Sequence, residues 1–142
     1  MSRIKICGLR RPEDIAAVNE ARPDYCGFIV EYPKSRRSID RTTLRELVRG
    51  LREKIVPVGV FVNAQKELVA ELLEEGTIQI AQLHGQETQE YIQELKVLTE
   101  KPLIQAFSIK SKEDVERARE SVADYILLDQ GSGGTGKVFD WS

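Results

Sequence analysis

Six times along the chain a short run of apolar, largely β-branched residues appears. After each of the first five, a turn and an amphipathic, charged stretch lead to the next run. The runs are Ile4–Cys7, Tyr25–Val30, Val56–Val62, Ile78–Leu83, Leu103–Ile109 and Tyr125–Leu128. The helical patterns between them are Pro12–Ala21, Arg41–Glu53, Gln65–Glu75, Thr88–Thr99 and Lys112–Ser121. Strands alternating with helices of this length read as βα units around a parallel sheet. The repeat of roughly 24 residues is close to the minimal spacing of a (β/α)8 barrel of about 200 residues. The expected fold is therefore α/β, a (β/α)8 TIM barrel of which only about six βα units are present, with residues 1–142 forming a single domain. A six-stranded doubly wound open sheet is the competing architecture, because it suits the length better. Phe139-Asp140-Trp141-Ser142 reads as a sixth helix just starting.

Local signals support the helix starts. Pro12 suits a first helical position, with Glu13 and Asp14 near the positive helix end. Asp40 and Ser111 are expected N-caps, and Ser111 with Asp114 has capping-box spacing. Composition removes several function classes. With 41% apolar and 31% charged residues and a net charge of −2, the chain is an ordinary globular protein with no overall field for nucleic acid or an anionic membrane. No apolar run approaches the roughly 20 residues of a membrane helix. The N-terminus turns charged before a signal-like apolar stretch forms, so a cytoplasmic setting is expected. Two cysteines and one histidine suggest neither a structural zinc site nor a disulfide framework, and no metal or cofactor is expected.

Alternation along the strands locates candidate chemistry. Lys5 and Cys7 share one face of the first strand, and in a barrel that face points inward. Tyr125, Leu127 and Asp129 share a face of the sixth. Cys7 and Asp129 stand at C-terminal strand ends, where barrel active sites lie. A thiol and a carboxylate there form a base/acid pair that needs no cofactor; a small buried thiol and a turn-capping aspartate are the plainer readings. Gln82 and His84 fall on one face, with His84 read as a substrate contact in preference to a general base or a satisfied polar group. The loop Tyr32-Pro33-Lys34-Ser35-Arg36-Arg37 is a solvated loop or a clamp for carboxylate or phosphate. Cys26 is read as packing, and Arg41, Arg45 and Arg49 as a solvent face.

Gly131–Lys137 matches G-x-x-x-x-G-K, but Val138 stands where a magnesium-binding hydroxyl belongs. The same glycines fit G-x-G-x-x-G without the later acidic residue. A P-loop nucleotide-binding protein is thus the weak alternative, and a βα loop that closes over substrate is the stronger one.

In order along the whole chain, Lys5-Ile6-Cys7-Gly8-Leu9, Arg11-Pro12-Glu13-Asp14, Gly27-Phe28 and Tyr32–Arg37 are followed by Val58–Asn63, Gln82-Leu83-His84-Gly85, Leu127-Leu128-Asp129, Gly133–Lys137 and Phe139-Asp140-Trp141. This ordered set resembles the phosphoribosylanthranilate isomerase family of tryptophan biosynthesis. The resemblance implies an Amadori rearrangement of N-(5-phosphoribosyl)anthranilate to a 1-deoxyribulose 5-phosphate, with Asp129 as general acid and Cys7 as general base. It implies Arg37 on the anthranilate carboxylate, with Gln82 and His84 lining the mouth. Lys5 is expected to favour the Cys7 thiolate. The partner implied is this phosphosugar-anthranilate substrate, with neither nucleic acid nor membrane. The phosphate site of such barrels uses loops after strands seven and eight, so the chain is expected to be an N-terminal portion of a longer isomerase. The alternative is an inactive barrel fragment that needs a complementing C-terminal piece. Two open parallel edges would then invite pairing with another chain.

Overall fold

The computed structural model describes residues 4–32, 34–84, 87–109, 111–129 and 138–140. Its elements are β1 (Ile4–Cys7), α1 (Pro12–Ala21), β2 (Tyr25–Val30), β3 (Ser38–Ile39), α2 (Arg41–Arg49), β4 (Val56–Phe61) and α3 (Lys66–Glu74). They continue with β5 (Ile80–Leu83), α4 (Gln89–Leu98), β6 (Leu103–Ser108), α5 (Lys112–Arg119), β7 (Tyr125–Asp129) and β8 (Val138–Asp140).

Six parallel strands lie side by side in chain order, β1-β2-β4-β5-β6-β7. A doubly wound sheet reverses direction part-way; this one never does, which removes the competing architecture. With right-handed crossovers throughout, a single direction of travel puts every helix on the same face. The fold is an open half-barrel.

Register sorts the side chains into two rows. Toward the helices point Cys26, Phe28, Val30, Phe61, Ala81, Leu83 and Leu103, which pack with Ile15, Val18, Leu44, Val69, Leu72, Ile92 and Leu95 of the helices into one core. Toward the concave trough point Lys5 and Cys7, in register with Tyr25 and Gly27, which are followed by Val58, Val60 and Gln82. One side-chain hydrogen bond spans the trough, from Lys5 Nζ on β1 to Gln82 Oε1 on β5, three strands away.

The caps follow the sequence. Asp40 Oδ1 accepts from Thr43 N at 2.7 Å, Ser111 and Asp114 form a capping box, and Pro12 occupies the first turn of α1. Three features differ from expectation. α2 ends at Arg49 rather than Glu53, because Gly50 and Arg52 are tied to Asn19, whose Nδ2 donates to Gly50 O at 2.8 Å and whose Oδ1 accepts from Arg52 N at 2.9 Å. Arg41 and Arg45 do not merely face solvent: they bridge Glu31, Glu71 and Glu75 at 2.8–3.4 Å and so join α2 to α3. Residues 138–140 form a strand, not a helix start. Val138–Asp140 pairs antiparallel with β1, Lys5 opposite Phe139, so among the described strands β1 is paired on both sides and the outer strands of the sheet are β7 and β8. An unpaired parallel edge is a row of free donors and acceptors, and a Val-Phe segment with high strand propensity satisfies part of it. Trp141 and Ser142 lie outside the described residues, as does the glycine segment 131–137.

Candidate active site

β1 ends at Cys7, and the chain leaves through Gly8 at φ 87°, a left-handed conformation that favours glycine. Gly8 N and Leu9 N both donate to Gly27 O, at 3.0 and 3.2 Å, which fixes the turn against β2. Gly27 is needed for its missing side chain. A Cβ there would lie 2.7 Å from Cys7 Sγ and 3.0 Å from Lys5 Cε. The thiol and the lysine stem therefore share the volume that Gly27 vacates. Cys7 is half-buried, whereas Cys26, on the other face, has no exposed surface. Burial first, then the neighbouring Cys7, pushes the Cys26 thiol up to about 12, against the pull of Lys5. It is a packing residue, as its mid-strand position suggests.

Arg37 lies over the β1–α1 turn. Its Cδ and Nη1 both stand 2.7 Å from where a Gly8 side chain would begin. Short hydrogen-bonded turns hold the loop that carries it: Ser35 N to Tyr32 O at 3.0 Å, Tyr32 N to Ser38 Oγ at 2.7 Å and Arg37 N to Ser35 Oγ at 3.2 Å. Arg10 Nη1 donates to Arg36 O at 3.0 Å and ties the loop to the start of α1. The short strand β3, on the far side of this loop, pairs parallel with the end of β2, with Ile29 opposite Ser38.

His84 follows β5 and donates its backbone N–H to Phe61 O at 2.8 Å. It borders two clefts. The larger, about 850 Å³, runs past Val62, Asn63, Glu87, Gln105 and Arg117; the smaller, about 320 Å³, past Ile29, Tyr32, Lys34 and Val60. Gln82 contributes to neither of these. It is 3% exposed, one layer below the mouth, where its carbonyl accepts from Lys5. Asp129 ends β7 opposite Ser108; its side chain lies outside the described residues. The structure therefore brings Cys7, Lys5 and Arg37 together around two glycines, with His84 three strands along, sharing a cleft with Tyr32, Lys34 and Ser35 of the loop that carries Arg37.

Sequence reasoning missed a polar cluster behind β6. Gln105 Nε2 donates to Glu87 O at 3.1 Å, while Gln105 Oε1 accepts from Gln89 at 3.0 Å and Ser121 at 2.6 Å. Glu87 in turn accepts from Asn63 N at 2.8 Å. A glutamine inside the apolar run Leu103–Ile109 was the available signal. Gly27 also carried one, since glycine within a strand marks a close approach. Among the described residues no three His, Cys, Asp or Glu side chains form a metal-binding group. No helix among them is long and apolar enough to cross a membrane.

The family model for N-(5'-phosphoribosyl)anthranilate (PRA) isomerase matches residues 4–142. The chain belongs to the PRA isomerase family. It is 45% identical to the N-(5'-phosphoribosyl)anthranilate isomerase of Acetivibrio thermocellus over 99% of this chain and 68% of that protein. The crystal structure of phosphoribosyl anthranilate isomerase from Thermotoga maritima superposes with a TM-score of 0.80 at 34% identity, over 96% of this chain and 65% of that one. A PRA isomerase in complex with reduced 1-(o-carboxyphenylamino)-1-deoxyribulose 5-phosphate matches at 35% identity and TM-score 0.78, over 91% and 65%. The chain thus spans about two thirds of the length of these PRA isomerases.

Proposed function

We propose that this chain carries the acid–base half of a PRA isomerase site, and that the completed site converts N-(5-phosphoribosyl)anthranilate to 1-(2-carboxyphenylamino)-1-deoxyribulose 5-phosphate in tryptophan biosynthesis. The observation that carries the reading is the position of Cys7: at the C-terminal end of β1, half-exposed, on the concave face, within a chain matched to the family over residues 4–142. C-terminal strand ends are where barrel enzymes of this type place their chemistry.

The reaction needs two proton movements and no redox partner. Asp129 gives its proton to the furanose ring oxygen, the C1–O bond breaks, and C1 becomes an iminium. Cys7, as thiolate, removes the C2 proton, and the electron pair forms the C1–C2 double bond of an enolamine. C1 then gains a proton while the C2 hydroxyl loses one, giving the ketone and restoring both residues. A carboxylic acid near a barrel mouth holds its proton more readily when water is partly excluded. Arg37, packed over Gly8 beside the thiol, suits a carboxylate with its planar fork. It is assigned the anthranilate carboxylate. His84 is assigned a contact at the mouth, and Gln82 reaches the site through Lys5. Residues 1–142 act as one domain in the cytoplasm, with the phosphosugar as small-molecule partner.

The test uses this chain joined to the part of the Acetivibrio thermocellus protein that the match leaves uncovered, with turnover read as loss of substrate fluorescence. Cys7→Ala and Asp129→Ala are each expected to lower turnover by a factor of about 100 or more, in keeping with general acid–base contributions, with circular dichroism unchanged. Near-normal turnover in either removes that residue from the mechanism. The 142-residue chain assayed alone is expected to show little turnover, and full activity there would discard the complementation view.

A further inference from the structure

Among the described strand ladders only one is antiparallel. β2 holds one side of β1 in parallel register, Lys5 with Tyr25, Ile6 with Cys26 and Cys7 with Gly27. The other side is taken by β8, which runs the opposite way: Ile4 lies opposite Asp140, Lys5 opposite Phe139 and Ile6 opposite Val138. Every other described ladder is parallel.

That polarity is incompatible with a closed ring. In a (β/α)8 barrel each strand runs parallel to both of its neighbours, and the strands of this chain follow ring order from β1 to β7 without reversal. Closure therefore needs a parallel strand on the outer side of β1, where β8 now lies. Two different strands thus compete for one row of backbone donors and acceptors. At the far end of the sheet β7 has β6 as its only described neighbour. Tyr125 and Ile126, which alternate between its two faces, are 59% and 45% exposed. Both faces of that end still have apolar surface to bury, as expected where further βα units belong.

Resting on the reading that a completed barrel does the chemistry, we propose that Val138–Asp140 is a displaceable strap. It covers the closing edge of β1 in the half-barrel, and it must leave before an apolar strand parallel to β1 can enter and close the ring. The strap is three residues long, whereas β2, β4 and β6 have six each. An entering βα unit brings a strand to pair and a helix to bury, and so displaces a short ladder that offers backbone pairing alone. Until then the strap blunts an edge that would otherwise template pairing with another chain.

The test reads the strap and not turnover. Ile4→Cys with Asp140→Cys is made in a Cys7→Ser background, which leaves only Cys26, without exposed surface, as a native thiol. Disulfide formation with oxidised glutathione is followed by mass spectrometry. The 142-residue chain is expected to form the bond, because opposed residues of an antiparallel ladder meet the roughly 4.4–6.8 Å Cα separation that a disulfide needs. In the chain joined to the uncovered part of the Acetivibrio thermocellus protein, the yield is expected to fall by a factor of about ten or more, since a parallel strand then separates the two positions. No bond in the 142-residue chain, or equal yields in both, overturns the proposal. Should the double variant fail to fold, Phe139→Pro decides, because proline lacks the N–H and is disfavoured within a ladder. Hydrogen exchange at Ile4–Ile6 is then expected to quicken by about tenfold or more in the 142-residue chain and to stay unchanged in the joined chain; unchanged exchange in the former rejects the strap. A joined chain that loses the cross-link but, with Cys7 restored, shows no turnover would sink the proposed reaction and leave the strap standing. Normal turnover with the cross-link retained would sink the strap alone.

Discussion

Replacing Gly27 by alanine puts a methyl group at a point that two other side chains already approach. Its Cβ would lie 2.7 Å from Cys7 Sγ, 3.0 Å from Lys5 Cε and 3.4 Å from Cys7 Cβ. Comfortable contacts between such atoms are about 3.5–4.0 Å, so the sulfur must withdraw by roughly 1 Å. Overpacking of this kind costs about 1–3 kcal/mol, which lowers a urea midpoint by roughly 0.5–1.5 M for a small protein. A reacting group displaced by about 1 Å can lose a factor of roughly 100 in rate. Gly59→Ala is the matched control. There a Cβ would lie 2.7 Å from Ile78 Cδ1 and 2.9 Å from Phe61 Cε2, on the helix-facing side and away from the thiol. Both variants are expected to lower the urea midpoint of the 142-residue chain, but only Gly27→Ala is expected to alter Cys7 alkylation and, in the joined chain, turnover. If the two variants change alkylation equally, or Gly27→Ala changes neither midpoint nor alkylation, the shared-volume argument is wrong.

Two further outcomes concern stability. Thr88 caps α4, its hydroxyl accepting from Tyr91 N at 3.0 Å; Thr88→Ala is expected to cost about 1 kcal/mol, read as a lower urea midpoint with Cys7 alkylation unchanged. Glu31 and Glu75 are held below the usual carboxylate range, chiefly by side-chain hydrogen bonds from Arg41 and Arg45 respectively. Because their folded values are depressed, the stability they contribute is complete above the ordinary carboxylate range and is lost as pH falls through the lowered values. Urea midpoints from pH 7 to pH 2.5 should therefore decline, and Arg45→Gln should make the acid side of that curve shallower. An unchanged slope in Arg45→Gln would show that the bridge to α3 is too well screened to matter.

The sequence made the βα units legible because each needs only local information: an apolar run, a cap and an amphipathic stretch. The inward row was legible too, since the alternation that puts Lys5 with Cys7 needs nothing but the strand period. What was hidden depended on distant partners. Asn19 ends α2 early from 31 residues away at Gly50, and no feature of Leu51–Glu53 announces it. The bridges from Arg41 and Arg45 need α3 alongside before they differ from a solvent face. Alternation put Gln82 on one face with His84, and the family resemblance implied that both line the mouth; depth along a strand is set by how the sheet curls, and Gln82 bonds Lys5. The strand at Val138–Asp140 is defined by its pairing with β1, more than 130 residues away in sequence.

The link between Lys5 and Gln82 joins residues 77 apart in sequence, whereas each parallel ladder in the sheet joins neighbouring units. Contacts between adjacent units can form as soon as the second of them is made, but this one must wait until four strands of the parallel sheet exist. Long-range pairings carry a loop-closure cost that slows their formation. The buried contact of the first strand's lysine is thus completed late in assembly, and a nascent chain interrupted before β5 would hold Lys5 without Gln82.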